Sequence, residues 1–278
     1  MSLFIASLNS GSNGNCYYIG NETEAILVDV GISCRETEKR MKRLGLSMDK
    51  VKAIFVSHEH SDHITGIPVL ARKFQLPVYI TEGTRAKGRL FLEQHLVISF
   101  RAHVPIQFSG FSVTAFPKFH DAFDPHSFIV ASASVKVGIF TDIGIACDQV
   151  IHYFQQCHAA FLEANYDEDM LTNGCYPSYL KRRIKGGTGH LSNAQALQLV
   201  LSYKPRFMSH LLLSHLSKNN NDPKLVEELF NQHAENTKII VASRNKETPV
   251  YHITNQGIPP GSIKKKYESN TQLQLSLF

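Results

Sequence analysis

The sequence predicts an α/β (α+β) fold of the αββα sandwich type, two mixed β-sheets packed face to face and flanked by helices. Three observations lead there. Short apolar, β-rich runs crowd residues 3–30 and return in residues 104–141. Each strand-rich half is finished by stretches of helical spacing. No internal repeat, low-complexity insert or shift in composition marks a second domain, so the two sets of strands must cover each other.

The elements follow in order. LFIASL, CYYI and AILVDV read as a strand meander, interrupted by a tight polar loop at Ser10–Asn15. Residues 34–44 and 64–75 carry helical spacing, and between them AIFVS is a short strand that ends directly before a histidine cluster. PVYI at 77–80 is a further buried strand, with a helical stretch expected after it to about residue 95. FSVTAF, SFIVAS and KVGIF form the β-rich middle. Beyond them, helices are expected at 146–156, 176–184, 193–202 and 223–233, and strands at 159–164, 208–213 and 238–242. Periodicity fades from Gln256, ahead of Pro259-Pro260-Gly261 and Lys264-Lys265-Lys266. A catalytic domain over 1–255 and a flexible tail over 256–278 are therefore expected.

At 278 residues and 43% apolar content, the chain can bury one large core. The net charge of +5 permits an anionic substrate without demanding one. No apolar run approaches a membrane span, and the start MSLFIASL reads as a strand rather than a signal peptide. The five cysteines, Cys16, Cys34, Cys147, Cys157 and Cys175, are odd in number and never spaced as CxxC. That argues for reduced thiols and a cytoplasmic protein, against a disulfide framework or a cysteine-based zinc site.

The string that carries chemistry is His58-Glu59-His60-Ser61-Asp62-His63, at a strand end entering a helix. Composition alone yields HxHxDH in about one such chain in a thousand. Imidazole and carboxylate ligands suit zinc, and also manganese or iron. Four candidate ligands within six residues serve two ions only if the chain turns sharply between them, as a strand-to-helix junction does.

HxHxDH followed by isolated His, Asp and His resembles the metallo-β-lactamase superfamily over nearly the whole chain. The resemblance implies a first metal site of His58, His60, His120 (in KFHDAFDP) and Asp142 (in IFTDIG). It implies a second site of Asp62, His63, Asp142 and His215 (in LLLSHLS), with a water bridging the two divalent ions. Asp29, in LVDVG, matches the aspartate that braces the metal loop. Each of these positions ends an apolar, β-rich run, where a rigid scaffold exposes a ligand. Such a centre serves phosphodiesters, thioesters and lactones alike.

A second set of motifs narrows the substrate. GHLSN, ahead of the helix that precedes His215, resembles the region of RNase Z-type nucleases in which a histidine paired with an upstream glutamate protonates the leaving oxygen. The matching residues are His190 and Glu163, in FLEANYD. SGSNGNCYYI, HEHSDH, HDAFDP, LEANYD, GHLSN and LSHLSKNN together are most similar to the YycJ/WalJ branch. That implies a 5′→3′ DNA exonuclease in which Asp62 orients a metal-bridging hydroxide for attack on phosphorus. Ser127 departs from the glycine expected there. Substrate contacts are expected from Ser10, Ser12, Asn13, Ser192 and Ser217, although a tight turn explains the Ser10–Asn15 loop equally. Lys181, Arg182, Arg183 and Lys185 would track a nucleic-acid backbone or simply form a solvated helix face.

The stretch from Asp142 to His190 is already filled by predicted elements, leaving no room for a large inserted lobe, and no glycine-rich arm for gripping tRNA is evident. At the other end, Gln274-Leu275-Ser276-Leu277-Phe278 resembles the peptide that docks repair proteins on the DNA polymerase sliding clamp. Gln274 would bond the edge of an apolar cleft that Leu277 and Phe278 fill, with Leu275 also among the docking residues. The rival expectations are an RNA-processing nuclease with the same Glu163–His190 pair and a thioester or lactone hydrolase without it. A non-catalytic module keeping the fold is disfavoured by the complete ligand set.

Overall fold

Residue periodicity of two, with both faces apolar, builds the centre of the molecule. In the computed structural model, which describes residues 2–255, β1 (Leu3–Asn9) sends Leu3 and Ile5 to one side and Ala6 and Leu8 to the other. β3 (Ala25–Val28) alternates likewise, Ile26 and Val28 against Ala25 and Leu27. Such strands are buried on both faces, which is why they read in sequence as unbroken apolar runs. Three hydrophobic clusters result: one between the sheets and one outside each sheet.

The first sheet has β2 (Cys16–Gly20) between β1 and β3 in antiparallel order, then β4 (Val51–Phe55), β5 (Val78–Tyr79) and β6 (Val97–Ile98) in parallel. The second repeats the scheme. β7 (Ile106–Gln107), β8 (Ser112–Pro117), β9 (His126–Ala131) and β10 (Lys136–Phe140) are antiparallel neighbours. β11 (Ala159–Glu163), β12 (His210–Ser214) and β13 (Lys238–Val241) then extend the sheet in parallel. The sheets meet through aromatic rings: Phe55, stacked at 4.6 Å on Tyr79 of its own sheet, meets Phe128 of the other edge-on at 5.6 Å. Removing a ring buried like Phe55 costs about 3–5 kcal/mol.

Helices α1 (Cys34–Arg43), α2 (Ser61–Ile64), α3 (Ile67–Phe74) and α4 (Glu82–Lys87) belong to the first half. In the second half come α5 (Asp148–Phe154), α6 (Glu168–Asn173), α7 (Ser178–Lys185), α8 (Asn193–Tyr203) and α9 (Pro223–Asn231). The expected αββα architecture of two mixed sheets with outer helices is the one observed.

Four local expectations change. The helix read over 64–75 is two helices, because Gly66 lies against the Ile32 carbonyl and Pro68 opens a new first turn. The helix expected to residue 95 ends at Lys87, where Arg89 turns to φ 48°. α6 escapes periodicity because Leu171 is its sole buried residue; the Asp167 cap sets it. A last strand, β14 (Tyr251–Ile253), pairs antiparallel with β1 and is too short to show in sequence.

Among the described residues no helix is long and apolar enough to cross a membrane. All five cysteines are free. The expected tail over 256–278, with Gln274, Leu275, Leu277 and Phe278, lies outside the described residues.

Candidate metal centre

β4 runs into the histidine string, and the sharp turn that two ligand pairs require is there. His60 is the extended N-cap of α2, so Asp62 and His63 sit one helical turn away from His58 and His60. Backbone bonds stitch this loop to the first sheet: Asn15 N–H donates to the Asp62 carbonyl at 2.7 Å and Val30 N–H to the His63 carbonyl at 2.9 Å. Gly31 permits the approach, since a Cβ there would lie 1.7 Å from the Asp62 carbonyl oxygen.

The remaining groups arrive at strand ends. Asp29 follows β3, His120 lies beyond β8, Asp142 beyond β10, Glu163 closes β11 and His215 follows β12. Asp29, Asp142 and His215 all adopt the left-handed backbone region, with φ of 58°, 55° and 58°. Such geometry costs a residue with a side chain about 1 kcal/mol or more, and it turns each group off its strand toward the same point.

Two ligand groups face each other. In the first, His58 Nε2 is 3.1 Å from His60 Nδ1, which is 3.3 Å from His120 Nε2. In the second, Asp62 Oδ2 lies 3.6 Å from His63 Nε2 and 3.3 Å from His215 Nε2. Asp142 stands between them, with Oδ1 3.8 Å from His120 Nε2 and Oδ2 3.2 Å from His63 Nε2. The structure thus brings together His58, His60, Asp62, His63, His120, Asp142 and His215, and it places Glu163 and His190 beside them.

The outward nitrogens are held in turn. Asp29 Oδ2 lies 2.7 Å from His63 Nδ1, while Asp29 also accepts from the Ser57 N–H and hydroxyl. Ser57 Oγ is 2.9 Å from His58 Nδ1, and His120 Nδ1 bonds the Gly189 carbonyl at 3.0 Å. Glu163 Oε1 is 2.7 Å from His190 Nδ1 and 3.0 Å from His215 Nδ1, and Oε2 accepts from Ile143 N–H. Partners of this kind fix the tautomer and direction of a ligating imidazole.

A divalent cation fits this donor set. Asp142 Oδ2 is buried, and with the His63 ring nitrogen 3.2 Å away it makes no well-aligned hydrogen bond among the described residues, so a cation would complete it. The donors are imidazoles and carboxylates, their candidate ligand atoms within 4.8 Å of one another in each group.

Charge separates the two sides. Burial pushes His120 down to about 3 and His58 well below its usual value. Burial also opposes the charge on His63, but the carboxylates of Asp142, Asp29 and Asp62 push it up to about 10. Burial disfavours ionised Glu163, yet His190 and His215 hold its carboxyl at about 2.

Several neighbours fall within motifs that stand out in sequence but have no role of their own assigned there. Asn15 Nδ2 reaches Asp62 Oδ2 at 3.2 Å and His63 Nε2 at 3.0 Å. Asn165 Nδ2 donates to the His215 carbonyl, and buried Lys118 donates to the Thr141 carbonyl at 2.7 Å, bracing the turn into Asp142. Asp121 lies 3.4 Å from His120 Nε2 and pairs with Arg183 of α7. Of the other basic residues there, Lys181 and Lys185 bond to Thr172. Phe119 and Phe123 flank His120 at 50% and 66% exposure.

The expected substrate contacts divide. Ser12 and Asn13 are exposed. Ser10 is buried, accepting from His215 N–H and bonded to the Tyr17 hydroxyl. Ser192 is buried in the α8 capping box, its hydroxyl donating to Glu168. Ser217 Oγ accepts from Asn220 N–H. Ser127 lies buried in β9 with no hydrogen bond from its hydroxyl.

A model described as the beta-lactamase superfamily domain matches residues 24–215. The chain belongs to the beta-lactamase superfamily. Within it, the chain is 35% identical over 237 residues to exodeoxyribonuclease YycJ of Bacillus anthracis, covering 84% of this chain and 89% of the relative. It is 30% identical over 225 residues to exodeoxyribonuclease WalJ of Streptococcus pneumoniae serotype 2, covering 78% and 83% respectively. The metallo-β-lactamase fold protein YhfI from Bacillus subtilis superposes with a TM-score of 0.71 at 17% identity, covering 91% of this chain and 100% of that one. The superfamily and branch resemblance read from the motifs is therefore matched by similarity along most of the chain.

Proposed function

We propose that the chain is a dinuclear-metal-dependent phosphodiesterase, a 5′→3′ DNA exonuclease acting in DNA repair. The observation that carries phosphodiester chemistry is the Glu163–His190 pair at 2.7 Å, seated beside the ligand groups. The relatives named exodeoxyribonucleases support DNA as the substrate. A pair of divalent ions, zinc first and manganese or iron as alternatives, would supply Lewis-acid charge and a water made nucleophilic near neutral pH. His58, His60, His120 and Asp142 would hold one ion, and Asp62, His63, Asp142 and His215 the other.

The chain's own groups do the rest. Asp62, held by Asn15, offers a carboxylate that would orient the hydroxide nucleophile for attack on phosphorus. Glu163 holds His190 through Nδ1, which leaves Nε2 to donate its proton to the departing oxygen. A charged His190 also offsets negative charge gathering on the phosphoryl oxygens. The exposed rings of Phe119 and Phe123 suit stacking of unpaired bases at the rim. Docking of Gln274, Leu275, Leu277 and Phe278 on a sliding clamp would bring the enzyme to forks and repair sites.

The test is hydrolysis of end-labelled DNA with matched RNA and a thioester in parallel, under zinc and under manganese, with Asp62→Ala as the blank. Stepwise loss of nucleotides from the 5′ end of DNA is expected. Cleavage of RNA with a 2′-hydroxyl requirement would select the RNA-processing alternative, and cleavage of the thioester alone would overturn the phosphodiesterase reading.

A further inference from the structure

Arg244, just past β13, is a half-buried guanidinium with no carboxylate partner among the described residues. Arg35, Arg72, Arg89, Arg101, Arg182 and Arg206 also lack an ion pair among the described residues, but all six are exposed to water. Arg40 faces Glu36, Arg43 faces Glu247, Arg85 faces Glu82 and Arg183 faces Asp121. Arg244 instead spends one nitrogen on neutral acceptors: Nη2 donates to Ser12 Oγ and to the Leu216 carbonyl, both at 3.2 Å.

The surroundings hold it there. Asn13 Nδ2 donates to the Arg244 carbonyl at 3.0 Å and Ser10 N–H to the Ser243 carbonyl at 3.2 Å. Gly11, at φ +134°, leaves the space, since a Cβ there would lie 2.8 Å from Nη2. Burial lowers the guanidinium from its usual range. A fixed, partly dehydrated cation without an anion is an incomplete site.

Position says which anion. Leu216 follows His215, and Asn15, at the other end of the same loop, bonds Asp62. Arg244 therefore stands at the Asp62–His215 side of the metal centre, with the exposed Ser12 hydroxyl and Asn13 amide next to it. We propose that Arg244 and Ser12 form a phosphate subsite that grips a backbone phosphate beside the one undergoing hydrolysis, a role resting on the phosphodiesterase reading. An arginine suits this because its planar fork can give one edge to the protein and the other to phosphate oxygens.

The test walks a single neutral methylphosphonate along a single-stranded oligodeoxynucleotide. Wild type, Arg244→Gln and Arg244→Lys are each read by KM and kcat with metal, and by fluorescence anisotropy for binding. Arg244→Gln should raise KM about tenfold or more, exceeding any fall in kcat, and lower the salt slope of binding by about 0.7. Arg244→Lys should recover part of that loss. At one position the methylphosphonate should weaken wild type but leave Arg244→Gln unchanged. If the walk gives the same profile for wild type and Arg244→Gln, the subsite is overturned, even if Arg244→Gln is less stable. If wild type hydrolyses no oligonucleotide but the binding walk still singles out one phosphate through Arg244, the phosphodiesterase reading falls while phosphate binding at Arg244 stands without its place beside a scissile bond.

Discussion

Glu163 serves two imidazoles with one oxygen, and that sharing separates the effects of neighbouring substitutions. His190→Ala should slow hydrolysis about a hundredfold or more while metal content, read by elemental analysis, stays that of wild type. Glu163→Gln should lower both, because its one carbonyl oxygen cannot serve the Nδ1 atoms of His190 and His215 and also the Ile143 N–H. Normal metal content in Glu163→Gln would contradict the bridging role. Asp62→Ala should leave no measurable hydrolysis. At this scale the sequence was most legible where chemistry forces rare spacing: HxHxDH is improbable by chance, and each later candidate ends an apolar run. The bonds made by Asn15 and Lys118 were not legible within the motifs that hold them, and Arg244 lay in no motif, because a polar residue's partner across the fold leaves no spacing; only the fold brings Arg244 to Ser12.

Elements position these groups through close backbone contact. Gly31→Ala drives a methyl into the Asp62 carbonyl, so it should loosen metal binding, seen as a weaker apparent Kd by competition with a chelator. Retained affinity would show that the metal loop shifts freely. The start of β12 carries a pH-sensitive group away from the centre. Burial and the Lys238 ammonium push His210 down to about 4, so the folded state keeps it neutral while the unfolded chain protonates it near 6.5. Its contribution is therefore lost as pH falls from about 6.5 toward 4. Between pH 7.5 and 5, His210→Gln should lose about 1–2 kcal/mol less stability than wild type in denaturant titrations. The long, doubly buried strands could be read from sequence. β14 and α6 could not: three residues of strand and a helix with one buried side chain carry too little pattern.

Across the whole molecule, the candidate ligands come from both sheets. His58, His60, Asp62 and His63 follow the first, and His120, Asp142 and His215 follow the second. Bound ions would clasp the two layers at one end of the sandwich, so chelation should lower the unfolding temperature by several degrees and added zinc or manganese restore it. An unchanged transition would mean that the ions add nothing to the union of the sheets. The αββα architecture was legible because two antiparallel-then-parallel halves leave their apolar signatures in order. Their mutual packing was inferred from the need to bury both, and the aromatic contacts of Phe55 and Phe128 show how it is met.

The pairing of Leu3 with Ile253 has a consequence for the order in which the molecule is made. β1 is made long before its partner β14, so one flank of the first sheet keeps its hydrogen-bonding edge open until residues 251–253 have been added. Closure of that edge is a late, long-range event, and a chain halted before residue 251 would carry a ready template for joining another copy.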